Sequence, residues 1–310
     1  MKTPYRNALL LLAVISLFFS ACGTGTPSGN GSGGALKVLA VESFLADIAE
    51  NVAGERIKVD TLIPLGVDPH AYQPTPQDVA KIAESQVLIV NGAHFEEWLD
   101  KTLHNAGGTH IVIEASAGLT SRKPTTDEVL DPDRAGDPHF WLDPTKTIRY
   151  VENIRDGLIK TDPAGADIYT ANAELYIAKL AELDKWIMAQ VSQIPPEKRL
   201  LVTNHESFGY FADRYGFAIA GTVIPSTSSE ASPSAQQMAA LIDHIRKTGV
   251  KAIFLETGAN SQLADQIAQE TGAKVITDLY THSITEPGGE APSYIKMMKH
   301  NVKLIVEALK

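Results

Sequence analysis

"LKVLAVESFLADIAENVAGERIKVDTLIPLGVDPH", residues 36 to 70, opens on a short β-rich run, passes through an amphipathic helical pattern and returns to a second β-rich run. A strand, a helix and a second strand in that order mark a βαβ unit, whose strands lie parallel because the helix carries the chain back across the sheet. The alternation continues outward through "DVAKIAES", "VLIVNG", "FEEWLDKTL" and "HIVIEA". It resumes in the second half as "RLLVTN", "GYFADRYG", "FAIAGT", "AQQMAALIDHIRKTG", "KAIFLE", "QLADQIAQETG" and "KVITD", and a terminal helix starts near Ser293. The expected fold class is therefore α/β, with two lobes, each a mainly parallel sheet with flanking helices.

Between the two series lies one long helical stretch. Asp162-Pro163 reads as N-cap and first helical residue, and Ile168, Leu175, Leu180, Leu183 and Ile187 recur at helical spacing until Pro195-Pro196 stops the pattern. The lobes are thus expected to be joined by one long helix, a stiff connector that implies small lobe movements. The organisation expected is a lipoprotein signal peptide at 1–21, a flexible tether at 22–35, an N-terminal lobe at 36–160, a linking helix at 161–194 and a C-terminal lobe at 195–310. Residues 115 to 138 show no periodicity and read as an unusually long loop.

Lys2 and Arg6 precede an apolar run from Ala8 to Phe19. That run is shorter than the about 20 residues needed to span a bilayer and suits the core of a signal peptide. It ends at Phe19-Ser20-Ala21-Cys22, small residues before the single cysteine of the chain. An exported chain with one cysteine has no disulfide partner for it, so lipidation of Cys22, as at a lipobox, is the reading that uses it. "GTGTPSGNGSGGA" then has the composition of a flexible tether, which would keep the folded body extracytoplasmic and close to the cell membrane. The net charge of −10 argues against nucleic acid and against broad contact with anionic lipid.

Most of the histidines lie on or beside amphipathic elements without a partner at ligand spacing. His94, His104, His110, His244 and His300 belong to that group, and His282, a few residues past a strand, stands close to it. Three differ. His70 in "GVDPHAYQPTP" and His139 in "DPHFWLDP" share an Asp-Pro-His triplet, and Asp143-Pro144 after the second reads as the cap and first residue of a helix. His205 in "VTNHESFGYF" follows a strand directly, and Asp278 in "KVITDLY" sits at the end of the last strand. Open α/β sheets bind ligands at the carboxyl ends of their strands, which is where these four fall. Three imidazoles and one carboxylate, two from each lobe, would complete a tetrahedral shell for a divalent transition ion.

These segments, with "NGAHFEEWL", "SPSAQQMAALI" and "YIKMMKHN", resemble the TroA-like zinc/manganese solute-binding lipoproteins of bacterial ABC transporters, from about Leu36 to Lys310. The resemblance implies two lobes bridged by one long helix, a metal in the cleft as cargo, and a membrane permease as partner. Its ligand positions fall on His70, His139, His205 and Asp278. Many zinc-specific relatives carry a His-rich loop before the second ligand, and residues 115 to 138 here hold none. Manganese-specific relatives usually have Glu at the third ligand, where this chain has His205 followed by Glu206, so Glu206 is the alternative there.

The function expected is extracytoplasmic capture of Zn²⁺, with Mn²⁺ as the alternative cargo, by a lipid-anchored monomer that serves an ABC importer. A secreted zinc metalloenzyme is the competing class. It requires an open coordination position and a positioned base, for which four protein ligands leave little room. A surface adhesin is compatible with a tethered lobe but required by nothing in the sequence.

Overall fold

A computed structural model of the chain describes residues 36–123 and 136–310. The signal peptide, Cys22, the tether and the middle of the 115–138 loop lie outside the described residues. The strands form two four-stranded sheets. The first contains β1 (Val38–Ala40), β2 (Val59–Thr61), β3 (Val87–Val90) and β4 (Ile111–Glu114), in the order β2-β1-β3-β4. The second contains β5 (Leu200–Thr203), β6 (Ala218–Thr222), β7 (Ala252–Glu256) and β8 (Lys274–Leu279), in the order β6-β5-β7-β8. Every pairing is parallel. The same winding thus occurs twice, and each sheet has a switch point where the chain reverses its direction of travel, beside β1 and beside β5. All residues of β1, β3 and β7 are buried, as the continuous apolar runs of strands covered on both faces require.

The helices are α1 (Ser43–Ala53), α2 (Pro76–Glu84), α3 (Leu99–Ala106), α4 (Pro144–Thr161), α5 (Ala166–Val191), α6 (Gly209–Tyr215), α7 (Ala235–Thr248), α8 (Gln262–Thr271) and α9 (Tyr294–Leu309). α5 packs on α1, α4 and α9. One apolar cluster runs from Val38, Val87 and Ile113 of the first sheet through Trp141, Tyr176 and Tyr294 to Leu201, Phe254 and Leu279 of the second. The two halves therefore share a core as well as a helix. Tyr294 is central to it: its hydroxyl donates to Trp141 O at 2.6 Å, and its backbone N–H donates to Asp47 Oδ2 at 2.9 Å.

The long helix differs in detail from the expectation. Asp162 caps only a 3₁₀ turn at Pro163–Gly165, and α5 starts at Ala166. The Asp162 carboxylate is turned instead to Arg56 Nη2 at 2.8 Å and the Tyr169 hydroxyl at 2.5 Å. Gly165 permits that turn, since a Cβ there would lie 2.5 Å from the Tyr169 ring. The buried face is Tyr169, Ala173, Tyr176, Leu180, Leu183, Ile187 and Val191, so Ile168 and Leu175 of the expected stripe face solvent. Small and aromatic residues carried the first half of the seam, which a stripe of aliphatic residues alone does not reveal.

Candidate metal centre

His70 lies in the loop between β2 and α2, and both flanks of that loop are tied down. Asp68 Oδ1 accepts from the His70 backbone N–H at 2.9 Å, and Trp98 Nε1 donates to Pro69 O at 3.0 Å. Downstream, Thr75 and Asp78 form a reciprocal capping box with Pro76 as the first residue of α2, and the Tyr72 hydroxyl donates to Asp78 Oδ2 at 2.7 Å. His139 repeats the arrangement. Asp137 Oδ1 accepts from its backbone N–H at 2.9 Å, Asn91 Nδ2 donates to Pro138 O at 3.2 Å, and Asp143 caps α4 through Thr145 N with Pro144 next. In each Asp-Pro-His triplet the aspartate holds the histidine main chain and the proline removes backbone freedom, so little ordering remains to be done when a ligand arrives.

His205 follows β5 directly, with the Thr203 hydroxyl donating to its carbonyl at 2.8 Å. His282 lies just beyond β8, where Trp141 Nε1 donates to Thr281 O at 2.7 Å. His70, His139, His205 and His282 offer ring nitrogens that all lie within 4.8 Å of one another. His139 Nε2 stands 3.2 Å from Nε2 of both His70 and His205. His139, His205 and His282 are buried and His70 is half-buried. Phe95 walls the cluster with its ring edge-on to His70 at 4.8 Å. It is aimed there by a turn that puts Ala93 and His94 at φ 52° and 60°, a strained backbone of the kind that collects at ligand sites.

Behind the imidazoles stand carboxylates. His139 Nδ1–H donates to Asp137 Oδ1 at 2.8 Å. The Nδ1 atoms of His205 and His282 lie 3.0 and 3.2 Å from Oε1 and Oε2 of a single residue, Glu256. The outward nitrogen of His139 is hydrogen-bonded and those of His205 and His282 face the Glu256 carboxylate, while the inward ones converge, and Nε2 of His282 is buried with no hydrogen-bond partner among the described residues. An inward set of lone pairs with carboxylates at the rear is the arrangement that orients metal-binding histidines. The residues fit a divalent transition ion as cargo, held by imidazole nitrogen.

Burial lowers the pKa of His70, His139 and His282, and the neighbouring rings push His70 and His139 further down. These shifts favour the neutral imidazole, the form a ligand must take. Burial acts the same way on His205, but the Glu256 charge outweighs it and raises that pKa. Glu256 is itself opposed by burial and carried down to about 2 by His205 and His282. Burial lifts Asp137 to about 7 in spite of its hydrogen bonds from His139.

The structure brings together His70, His139 and His205, and the fourth member is His282. Asp278 does not join them. β8 runs to Leu279, whose side chain is buried, so the pleat turns the adjacent Asp278 side chain to solvent. Its main chain carbonyl accepts from His300 Nε2 at 3.0 Å. The chain reaches the cleft only after leaving the strand. His282 was open to discovery by its position, since it stands past the end of β8 much as His205 stands past the end of β5. Glu206 is buried beside His205 but is not part of the cluster. Glu256 was not legible, because it ends the apolar strand "KAIFLE" and nothing in the sequence marks it as a partner of two distant histidines.

The family model described as "ZnuA: Zinc-uptake complex component A periplasmic" matches residues 38–308. The chain is 36% identical over 300 residues to the manganese-binding lipoprotein MntA of Halalkalibacterium halodurans, covering 96% of this chain and 97% of that protein. It is 32% identical over 311 residues to the manganese ABC transporter substrate-binding lipoprotein PsaA of Streptococcus pneumoniae, covering 98% of each. Among solved structures, the Mn-bound periplasmic metal binding protein of Candidatus Liberibacter asiaticus aligns with TM-score 0.77 and 31% identity, over 89% of this chain and 100% of that one. The periplasmic zinc binding protein TroA of Treponema pallidum aligns with TM-score 0.78 and 26% identity, over 89% and 99%. A repeated β2-β1-β3-β4 winding, a helix between the sheets and a histidine cluster at the strand ends accompany a match over almost the whole length, and the chain belongs to the ZnuA family of periplasmic metal-uptake components.

Proposed function

We propose that this protein captures a divalent transition metal outside the cytoplasm and passes it to the permease of an ABC importer, with zinc as the cargo for which the site is built. The observation that carries the reading is the donor set of four imidazoles within 4.8 Å of one another. Imidazole suits zinc, whereas carboxylates and water suit manganese, and affinity at nitrogen sites rises from Mn²⁺ toward Zn²⁺. A neutral shell of four rings leaves the charge of the ion to be balanced by Glu256 and Asp137 behind it. The relatives that are substrate-binding lipoproteins of ABC transporters support the importer role and an anchor at Cys22. Four protein donors leave no open position for a reacting water, which supports a binding protein over a metalloenzyme.

Manganese is the second reading, favoured by the relatives named for it. Availability as well as affinity decides which metal a protein holds in a cell. Elemental analysis of protein purified from its native host without added metal separates the two: zinc at about one per chain is the expected result, and manganese at that level would reassign the cargo. A chain that takes up neither metal would remove the metal-capture reading.

A further inference from the structure

Two of the four imidazoles share a single partner. β7 ends at Glu256, between β5 and β8 in the sheet, so its side chain lies between the loops that follow those neighbours. One carboxylate oxygen faces His205 Nδ1 at 3.0 Å and the other faces His282 Nδ1 at 3.2 Å. The two rings stack at 5.4 Å between centroids with 22° between their planes. Ser207 Oγ donates to Glu256 Oε1 at 3.0 Å and fixes the carboxylate. Glu256 is 6% exposed and does not belong to the ligand cluster itself.

We propose that Glu256 is a positioning residue for metal capture: one carboxylate sets the tautomer and orientation of both His205 and His282, making the C-terminal half of the site a preformed two-nitrogen ligand. This rests on the metal-capture reading above. The chemistry follows from the number of acceptors. A neutral imidazole carries one N–H, and a metal needs the lone pair on the other nitrogen. An oxygen of an ionised carboxylate facing Nδ1 is attractive only when the proton is on Nδ1, which leaves Nε2 bare. Glu256 offers two such oxygens, so it fixes both rings with the same sign. Neither contact is aligned as a hydrogen bond, and catalytic and ligand contacts of this kind commonly tighten when the ligand enters. Thr281 Oγ1, at 3.1 Å from His282 Nδ1, is the competing partner, since it could donate to that nitrogen and drive the proton to Nε2.

Glu256→Gln tests the assignment because it keeps size and burial and replaces one acceptor by a donor. A glutamine side chain can satisfy only one Nδ1–H, so the other ring must move its proton to Nε2 and lose its ligand lone pair. Zinc affinity, measured by competition with a chelator of known strength, is expected to fall about 10–100-fold, the usual consequence of removing a group that orients a metal ligand. Nitrogen-15 spectra of the metal-free, histidine-labelled wild-type protein, taken at a pH high enough that both rings are neutral, are expected to show the single ring proton on Nδ1 of both His205 and His282. In the variant one of the two should carry it on Nε2. Wild-type protein that binds zinc while Glu256→Gln binds it within about two-fold overturns the positioning role. Wild-type protein that binds no zinc overturns the capture reading instead. If the variant does not fold, the wild-type spectra still decide: an Nε2 proton on either ring overturns the inference, and Nδ1 protons on both uphold it.

Discussion

One oxygen of Asp137 holds His139 twice, accepting from its backbone N–H at 2.9 Å and from its ring Nδ1–H at 2.8 Å. The main chain and the imidazole of a central ligand are thereby fixed by the same atom. Asp137→Ala should lower zinc affinity about 10–100-fold, by the loss of an orienting carboxylate, and Asp137→Asn should fall between the two because its Oδ1 still accepts. A chelator competition titration reads both. Equal affinity for Asp137→Ala and wild type would show that the ring needs no such support.

The identity of the fourth ligand is open to a paired test. His282→Ala should abolish most of the zinc-dependent rise in melting temperature, and Asp278→Ala should leave it intact, since Asp278 faces solvent. At a thousand times the dissociation constant, a metal that binds only the folded state adds about 4 kcal/mol. The reverse outcome, with Asp278→Ala the damaging change, would place the site outside the four-histidine cluster.

Metal preference should follow the donor atoms. Zinc is expected to displace manganese at near-stoichiometric concentration, and His205→Glu or His282→Asp should each narrow the gap by exchanging a nitrogen donor for an oxygen. Equal affinity of the native protein for the two metals would sink the zinc assignment and leave capture intact.

A pair of buried acids near α1 predicts a pH response of the metal-free fold. Burial, with the charge of Glu96 next, raises the pKa of Glu42 well above its ordinary value, and burial lifts Glu96 to about 7 against backbone N–H bonds from Asn91 and Gly92. Both folded values lie above the unfolded ones, so the folded state holds the protons more tightly and stability is lost as pH rises through that interval. These carboxyl groups should therefore pull the melting temperature down between about pH 5 and about pH 8, against the opposite contribution of His70, His139 and His282, whose lowered values add stability as pH rises through the ordinary histidine range, and Glu42→Gln should make the profile fall less, or rise more, than that of wild type. Asp137, at about 7, and Asp47, at about 6, contribute in the same direction. A variant with the wild-type slope would show that Glu42 is not among the causes.

Attachment at Cys22 is read by mass and by fractionation. Cys22→Ser should release the protein from membranes or leave its signal peptide uncleaved, and an unmodified thiol on the mature wild-type chain would refute lipidation.

The sheets were legible because their strands are short, apolar and separated by helical patterns, one of them opened by the capping signal Asp143-Pro144. The two Asp-Pro-His triplets were legible because each carries its own aspartate and proline in sequence. What escaped was whatever depends on direction at a strand end. Asp278 and His282 are four residues apart, and only the end of β8 at Leu279 separates a side chain that the strand turns to solvent from one in the loop that reaches the cleft. The seam of α5 escaped for a related reason: Tyr169, Ala173 and Tyr176 bury a face that their polarity and size disguise, while Leu175 is 64% exposed.

The shared core described above opposes any parting of the two halves. Pulling the halves apart would wet Trp141, Tyr294 and Phe254, at about 1.5–3 kcal/mol for each large side chain exposed. The loop that carries His70 is tied firmly to its own half but meets the other half through lighter contacts. Gly66 N–H donates to Ser283 Oγ at 2.9 Å, and the Ser229 hydroxyl donates to Asp68. Bonds of that sort contribute about 0.5–1.5 kcal/mol each, so breaking these two bonds across the cleft costs less than exposing the shared core.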